Sequence, residues 1–233
     1  MHYNTLFTIH FTVHSTITLP HSAAQDAANG KSNQKNLGTI KSSNLCTEII
    51  EYSSADETAV CNLASLNLQK LISCAQAPGS RPYFDFERLV EVTRVVTRNL
   101  NAVIDVNYYP VPSAQRSNMR HRPVGLGVQG LADVFCRLKL PFESEAARQL
   151  NRDIFEAVYF GAVSQSIDLA REAGPYSSYQ GSPASQGQLQ FDMWGVKPSL
   201  RWDWEGLKQQ LQLHGMRNSL LVAEFTEMKT LVN

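Results

Sequence analysis

The stretch Asn44-Leu45-Cys46-Thr47-Glu48-Ile49-Ile50-Glu51, followed by Asp56-Glu57-Thr58-Ala59-Val60-Cys61-Asn62-Leu63-Ala64, is the densest chemical run in the chain. Residues 44 to 52 read as a strand or an extended loop. In extended backbone successive side chains alternate between faces, so Asn44, Cys46 and Glu48 point the same way. An amide, a thiol and a carboxylate then share one pocket, which offers a hydrogen-bond donor, a nucleophile or radical centre, and a proton acceptor. The same spacing also has a plain structural reading, with Cys46 a small buried apolar residue and Glu48 solvated. Spacing alone favours the plain one, because a cysteine outside a disulfide usually belongs to a core.

Outward from this run the pattern is mostly helical. Phe86, Leu89, Val90, Val96, Leu100, Val103 and Ile104 recur at helical spacing and predict a helix over 85–105, capped by Asp85 and ended by Tyr108 to Pro112. A shorter helix is expected over 129–139, with Leu131, Val134, Phe135 and Leu138 on one face. The longest runs over 144–173 on a stripe of Leu150, Ile154, Val158, Ala162 and Leu169, and Gly174-Pro175 stops it. Residues 175–200, rich in Gly, Ser, Pro and Gln, read as an ordered but irregular loop. Asp203 caps a helix to His214, which Gly215 closes, and Asn218 to Ala223 is a short buried-strand candidate.

Toward the amino terminus, Phe7, Ile9, Phe11, Val13, Ile17 and Leu19 alternate with Thr and His, the period of a half-buried strand. Ser22 to Lys35 is small and polar and reads as a flexible connector. No internal repeat is evident. Pattern alone gives an α/β or mainly helical chain.

Composition narrows the function classes. The 233 residues carry 21 Lys+Arg against 21 Asp+Glu, for a formal charge of zero, with only 18% charged residues. That balance lacks the electrostatic footprint of a nucleic-acid or anionic-membrane binder. A hydrophobic content of 43% argues against disorder. Four cysteines in a chain this long do not make a disulfide scaffold, which points to a reducing compartment. No apolar run is long enough to span a membrane.

Other motifs carry less. Cys46, Cys61, Cys74 and Cys136 form no C-x-x-C pair and have no histidine at ligand spacing, so a structural zinc site is not expected. His121 and His214, the histidines of the folded-looking region, have no evident local partner as a catalytic base. Gly125-Leu126-Gly127-Val128-Gln129-Gly130 matches the dinucleotide fingerprint by letter. Arg120-His121-Arg122-Pro123 precedes it in place of a strand, and the position twenty residues on falls inside the long predicted helix, so close backbone packing explains its glycines better. Arg116, Arg120 and Arg122 suit either a phosphate clamp or, preferably, a solvated turn.

The run from Asn44 to Ala64 strongly resembles the large, catalytic (alpha) chain of class I ribonucleotide reductases of the eukaryotic type. The likeness continues through Asn107 to Pro112, Arg120 to Asp133, Gly181-Ser182-Pro183, Gln190 to Trp194, Trp202-Asp203-Trp204 and Arg217 to Leu221. It covers about residues 31–222, as the central fragment of a longer family member. Residues 1–30 and 223–233 read as a non-matching extension and tail.

The resemblance implies a fold and a set of roles. The fold is α/β and helix-rich, part of a ten-stranded α/β barrel that is here incomplete. Cys46 matches the cysteine that becomes a thiyl radical and removes the 3′ hydrogen of a ribonucleoside diphosphate. Glu48 matches the carboxylate that takes the 3′-hydroxyl proton, and Asn44 the amide that holds the substrate hydroxyls. Cys61 matches one of two cysteines that reduce the 2′ position and end as a disulfide. Its partner lies upstream in the family and has no counterpart here, since neither Cys74 nor Cys136 occupies a family cysteine position.

The resemblance implies no directly bound cofactor. The radical comes from a metal-containing small subunit, and an external dithiol of the thioredoxin or glutaredoxin type restores the reduced pair. ATP and deoxynucleotide effectors act only on the full-length family member. A homodimer of large chains, no nucleic acid or membrane partner, and a cytoplasmic location complete the expectation. The isolated chain is expected to be inactive, and an alternative is a non-catalytic chain that binds full-length large subunits.

Overall fold

The computed structural model describes residues 28–41, 49–74 and 81–223. The strand expected near the amino terminus therefore lies outside the described residues, as do Asn44, Cys46 and Glu48.

Two helices form the body of the fold. Helix α1 (Phe86–Val106) starts where the Asp85 carboxylate accepts the Arg88 N–H. It buries Leu89, Thr93, Thr97, Leu100 and Ile104 along one stripe. Helix α4 (Glu145–Ala173) is capped by Ser144 and ends at Gly174, as the sequence predicts. Its middle is buried on most sides, and Ile154, Val158, Ala162, Val163 and Ile167 all join the core.

The two helices pack directly on each other. Gly161 makes the approach possible, because a Cβ there would sit 3.1 Å from Thr93 Cβ and 3.1 Å from the Val90 carbonyl oxygen. Ion pairs Arg94–Asp168 (2.8 Å) and Arg98–Glu172 (2.7 Å) flank the seam. Both are solvent-screened and contribute little compared with the buried stripe.

The strands are parallel where the site forms. β1 (Asn62–Asn67) pairs with β4 (Val124–Gln129) in parallel, with Asn62 opposite Val124 and Asn67 opposite Gln129. On the other side of β4, the Val124 N–H donates to Leu220 O and the Leu126 N–H to Leu221 O. The Ala223 N–H donates back to Leu126 O, and Leu126 bridges Val222 in parallel. Parallel neighbours require long crossovers. Helix α1 lies within the crossover from β1 to β4, and α4 within the one from β4 to Val222. A separate antiparallel hairpin joins β2 (Ile72–Cys74) to β3 (Pro82–Phe84). The described residues are thus mixed helix and strand, and no sheet closes on itself among them.

Several elements depart from the sequence expectation. Helix α2 (Pro112–His121) lies where the pattern predicts only the end of the preceding helix. Its sequence has no apolar stripe; Pro112 starts it at a position that needs no N–H, and its buried face is Ala114, Ser117, Asn118 and His121. Helix α3 (Leu131–Arg137) is two residues shorter at each end than predicted.

The reading of Ser22 to Lys35 as a flexible connector is corrected over its described part. Residues 28–31 form a helical turn, and Asn33 and Gln34 are buried. Asn33 Nδ2 donates to Ser219 O (2.8 Å), and Gln34 Nε2 to Ser219 Oγ (3.0 Å). Polar composition marks surface only until a partner satisfies it. The 175–200 segment is ordered and mostly irregular, with a short helix α5 (Gln190–Trp194) inside it. Helix α6 (Trp204–His214) begins at its Asp203 cap as expected.

Candidate functional site

A cavity of about 620 Å³ opens at the amino ends of the parallel strands. Glu51, Cys61, Val124, Tyr159, Phe191 and Leu221 are among its lining residues. The aromatic side of this wall is held by ring contacts: Phe191 lies 4.9 Å from Trp204, and Tyr159 lies 5.8 Å from it, centroid to centroid. The Tyr159 hydroxyl accepts the Gln190 N–H (3.0 Å), and burial of the hydroxyl holds its pKa far above the ordinary phenol value.

Cys61 is held in place by its neighbour in the chain. Asn62, the first residue of β1, donates through Nδ2 to Asn118 Oδ1 (3.0 Å) and to Pro123 O (3.0 Å), which pins the strand's start against the end of α2. The Cys61 sulfur then lies 3.0 Å from where a Cβ on Gly125 would be. The same point is 2.6 Å from Leu63 Cδ2 and 3.1 Å from Ala223 Cβ. Gly125 therefore makes room for the thiol. The first two glycines of the apparent dinucleotide fingerprint lie within a strand and not in a turn after one, and close packing is the role of Gly125.

Glu51 carries no signal of its own in the sequence. Strand alternation places position 51 on the opposite face from 48, and nothing else singles it out. Its side chain is 3% exposed and hydrogen-bonded to the Cys61 thiol. Burial pushes its carboxyl pKa up to about 8, against a smaller opposing pull from that bond. Its Oε1 has no hydrogen-bond partner among the described residues. Its place in the motif-rich run, ten residues before Cys61, is the one available clue, and its meaning comes from the fold.

Of the sequence-predicted site residues, Cys61 is described, half-buried and on the cavity wall. Asn44, Cys46 and Glu48 are not described; the chain resumes at Ile49, which also lines the cavity. Cys74 and Cys136 are exposed. Among the described residues no group of three or more His, Cys, Asp or Glu is arranged to hold a metal ion.

His121 and the arginines have partners that the sequence does not reveal. The His121 ring is 1% exposed, with Nδ1 2.6 Å from Ser178 Oγ and Nε2 3.0 Å from Glu57 Oε2. Arg120 donates to the other Glu57 oxygen (2.8 Å). Burial lowers the His121 pKa, against the opposing pull of Glu57. Burial works to raise the Glu57 carboxyl, but the bonds and charges of Arg120 and His121 outweigh it and hold it below the ordinary carboxylate value.

A neutral ring that donates to Glu57 accepts from Ser178, so the set ties three chain segments together. Arg122 is neither a phosphate clamp nor part of a solvated turn. It is 2% exposed and binds both oxygens of Asp105 and the side chain of Asn101.

Parallel segments joined through helices, with a thiol and a buried acid facing a cavity at their amino ends, define an α/β protein with a candidate active site. Residues 3–224 match the family model described as ribonucleotide reductase, barrel domain, and the chain belongs to that family. The match reaches further toward the amino terminus than the motif-bearing stretch from residue 31.

Among curated proteins, the chain is 58% identical over 212 residues to a ribonucleoside-diphosphate reductase large subunit of Caenorhabditis elegans, covering 91% of this chain and 26% of that protein. It is 58% identical over 211 residues to the large chain of Schizosaccharomyces pombe, covering 91% and 25%. It is 56% identical over 224 residues to the large subunit of Arabidopsis thaliana, covering 91% and 28%. The chain therefore spans about a quarter of the length of these relatives. No helix among the described residues is long and apolar enough to cross a membrane.

Proposed function

We propose that this chain is the central barrel segment of a ribonucleoside-diphosphate reductase large subunit, which reduces ribonucleoside diphosphates to deoxyribonucleoside diphosphates. The observation that carries this reading is the identity of 53–58% to eight reductase large chains over 91% of the chain.

Cys46 is the hydrogen-abstracting sulfur, Glu48 accepts the proton of the 3′ hydroxyl, and Asn44 holds the substrate hydroxyls. Cys61 is one half of the redox pair that reduces the 2′ carbon, and its partner cysteine belongs to another part of the complete enzyme. A small subunit supplies the radical from its own metal site, and an external dithiol of the thioredoxin or glutaredoxin type restores the pair. Large chains pair with one another, the complete barrel has ten strands, and the enzyme works in the cytoplasm.

The setting of Cys61 supports its part in this scheme. A half-buried thiol beside an apolar and aromatic wall is shielded from bulk water, which protects radical intermediates from side reactions. At Cys46 a neutral thiol suffices for hydrogen-atom transfer, so that sulfur needs no lowered pKa.

The test is a chimera in which residues 31–222 replace the corresponding part of the Schizosaccharomyces pombe large chain. With the small subunit and a dithiol it is expected to form deoxynucleoside diphosphates. Cys46→Ser is expected to abolish turnover, because an O–H bond is too strong to serve the radical. Cys61→Ser is expected to block reductive turnover. A Cys46→Ser chimera with near-normal rates overturns the assignment.

A further inference from the structure

We propose that Glu51 is the proton-transfer residue for the Cys61 sulfur, delivering a proton when a disulfide at Cys61 is reduced and accepting one when it forms. This rests on reading Cys61 as half of a redox pair. The geometry is specific. The Glu51 carboxyl is hydrogen-bonded to the Cys61 thiol, and both residues line the same cavity. One carboxyl oxygen bonds the sulfur; the other, Oε1, is buried without a partner among the described residues. Native proteins seldom leave a buried acid in that state unless it has a task.

Three other charged groups on the cavity wall have partners of their own. Arg152 pairs with Glu145, and Asp153 with Arg201 at 3.6 Å. Glu156 accepts the Ser199 N–H and the Trp204 indole N–H, each at 2.9 Å. Lys31 and Lys197 complete the charged lining. Burial and the Cys61 thiol are the influences that set the titration of Glu51.

In the reductive direction, the thiolate of an external dithiol attacks the sulfur bonded to Cys61, and a new S–S bond forms there. The old S–S bond breaks and its electron pair goes to the Cys61 sulfur. The proton of the Glu51 carboxylic acid moves to that sulfur, leaving a thiol and a carboxylate, and the carboxylate regains a proton from water. Without the acid, the departing thiolate would stand in an apolar cavity, where an unpaired charge is costly and the sulfur leaves poorly. An acid that titrates near 8 is close to the ordinary thiol value of about 8.5, so the proton crosses with little cost in either direction.

The test needs no nucleotide reduction, so its failure is distinguishable from failure of the chimera. Alkylation of Cys61 by iodoacetamide is followed from pH 6 to 10 in this chain, with the site separated from Cys46 by fragment-ion mass spectrometry. In the wild type the rate profile is expected to break near pH 8, where a carboxylate appears beside the sulfur and opposes its ionisation.

Glu51→Gln is expected to match the wild type below pH 7 and to react roughly tenfold faster at pH 9.5, since the like-charge repulsion is gone. Superimposable profiles overturn the proposal, and so does equal acceleration at every pH, which reports an opened cavity. A wild-type profile that fits a single uncoupled thiol overturns it even if the Gln variant does not fold.

Discussion

Arg122 grips Asp105 with two N–H···O bonds of 2.8 Å each, from a backbone in the left-handed region (φ 47°) that ends α2. The same guanidinium donates to Asn101 Oδ1 and to Asn101 O, while the Arg122 carbonyl accepts from Asn218 Nδ2. One buried residue therefore joins α1, the entry to β4 and the segment that pairs with β4.

Arg122→Lys is expected to destabilise the fold by about 2–4 kcal/mol, because an ammonium cannot reproduce the paired fork and leaves buried acceptors unmet. Urea denaturation of the two proteins measures it. A change within about 0.5 kcal/mol, the size typical of a surface substitution, would mean that the fork is not what holds these segments.

Gly125→Ala is expected to cost about 1–3 kcal/mol by overpacking, since the added methyl meets Leu63, Cys61 and Ala223 inside normal contact distance. Leu63 can swing away at its flexible tip. The Cys61 sulfur and the Ala223 Cβ have less freedom. The readouts are the melting temperature and the alkylation rate of Cys61, and both should move. An alanine variant with wild-type values in both would show that the strand start is looser than its contacts imply.

Acid should weaken the fold through His121 and Glu57. Burial depresses the folded His121 pKa below its unfolded value, so the unfolded chain binds the extra proton first. Stability is full above about pH 6.5 and declines as the pH falls below it. Glu57, also depressed, adds its own loss as the pH falls below the ordinary carboxylate range. The melting temperature is expected to drop between pH 7.5 and 5.5 in the wild type and to change less in His121→Asn. Equal slopes in the two proteins would remove His121 from the account.

What the sequence disclosed came from its periodicities. The caps Asp85, Ser144 and Asp203 and the stops Gly174 and Gly215 fall where local chemistry puts them, because a helix end is decided within a few residues. Helix α2 is hidden in the sequence, since its buried face is Ala114, Ser117, Asn118 and His121 and its stability comes from polar partners distant along the chain. The pairing of β1 with β4 is hidden too: the glycines at 125 and 127 suppress the usual strand signature, and Gly125 makes sense only beside Cys61, Leu63 and Ala223. At the site, Cys61 is legible through its flanking motif. Glu51 is not, because its character comes from burial against a sulfur ten residues away.

The position of β4 between β1 and Val222 also bears on how the protein is made. Strand β4 leaves the ribosome with β1 already available on one side, but its other side waits for Val222, roughly a hundred residues later. At typical synthesis rates of about 5–20 residues per second, that edge stays open for roughly 5–20 s. During that interval a glycine-containing apolar strand offers its unpaired amides to any neighbouring nascent chain, so chaperone capture during translation should matter more for this segment than its final packing suggests.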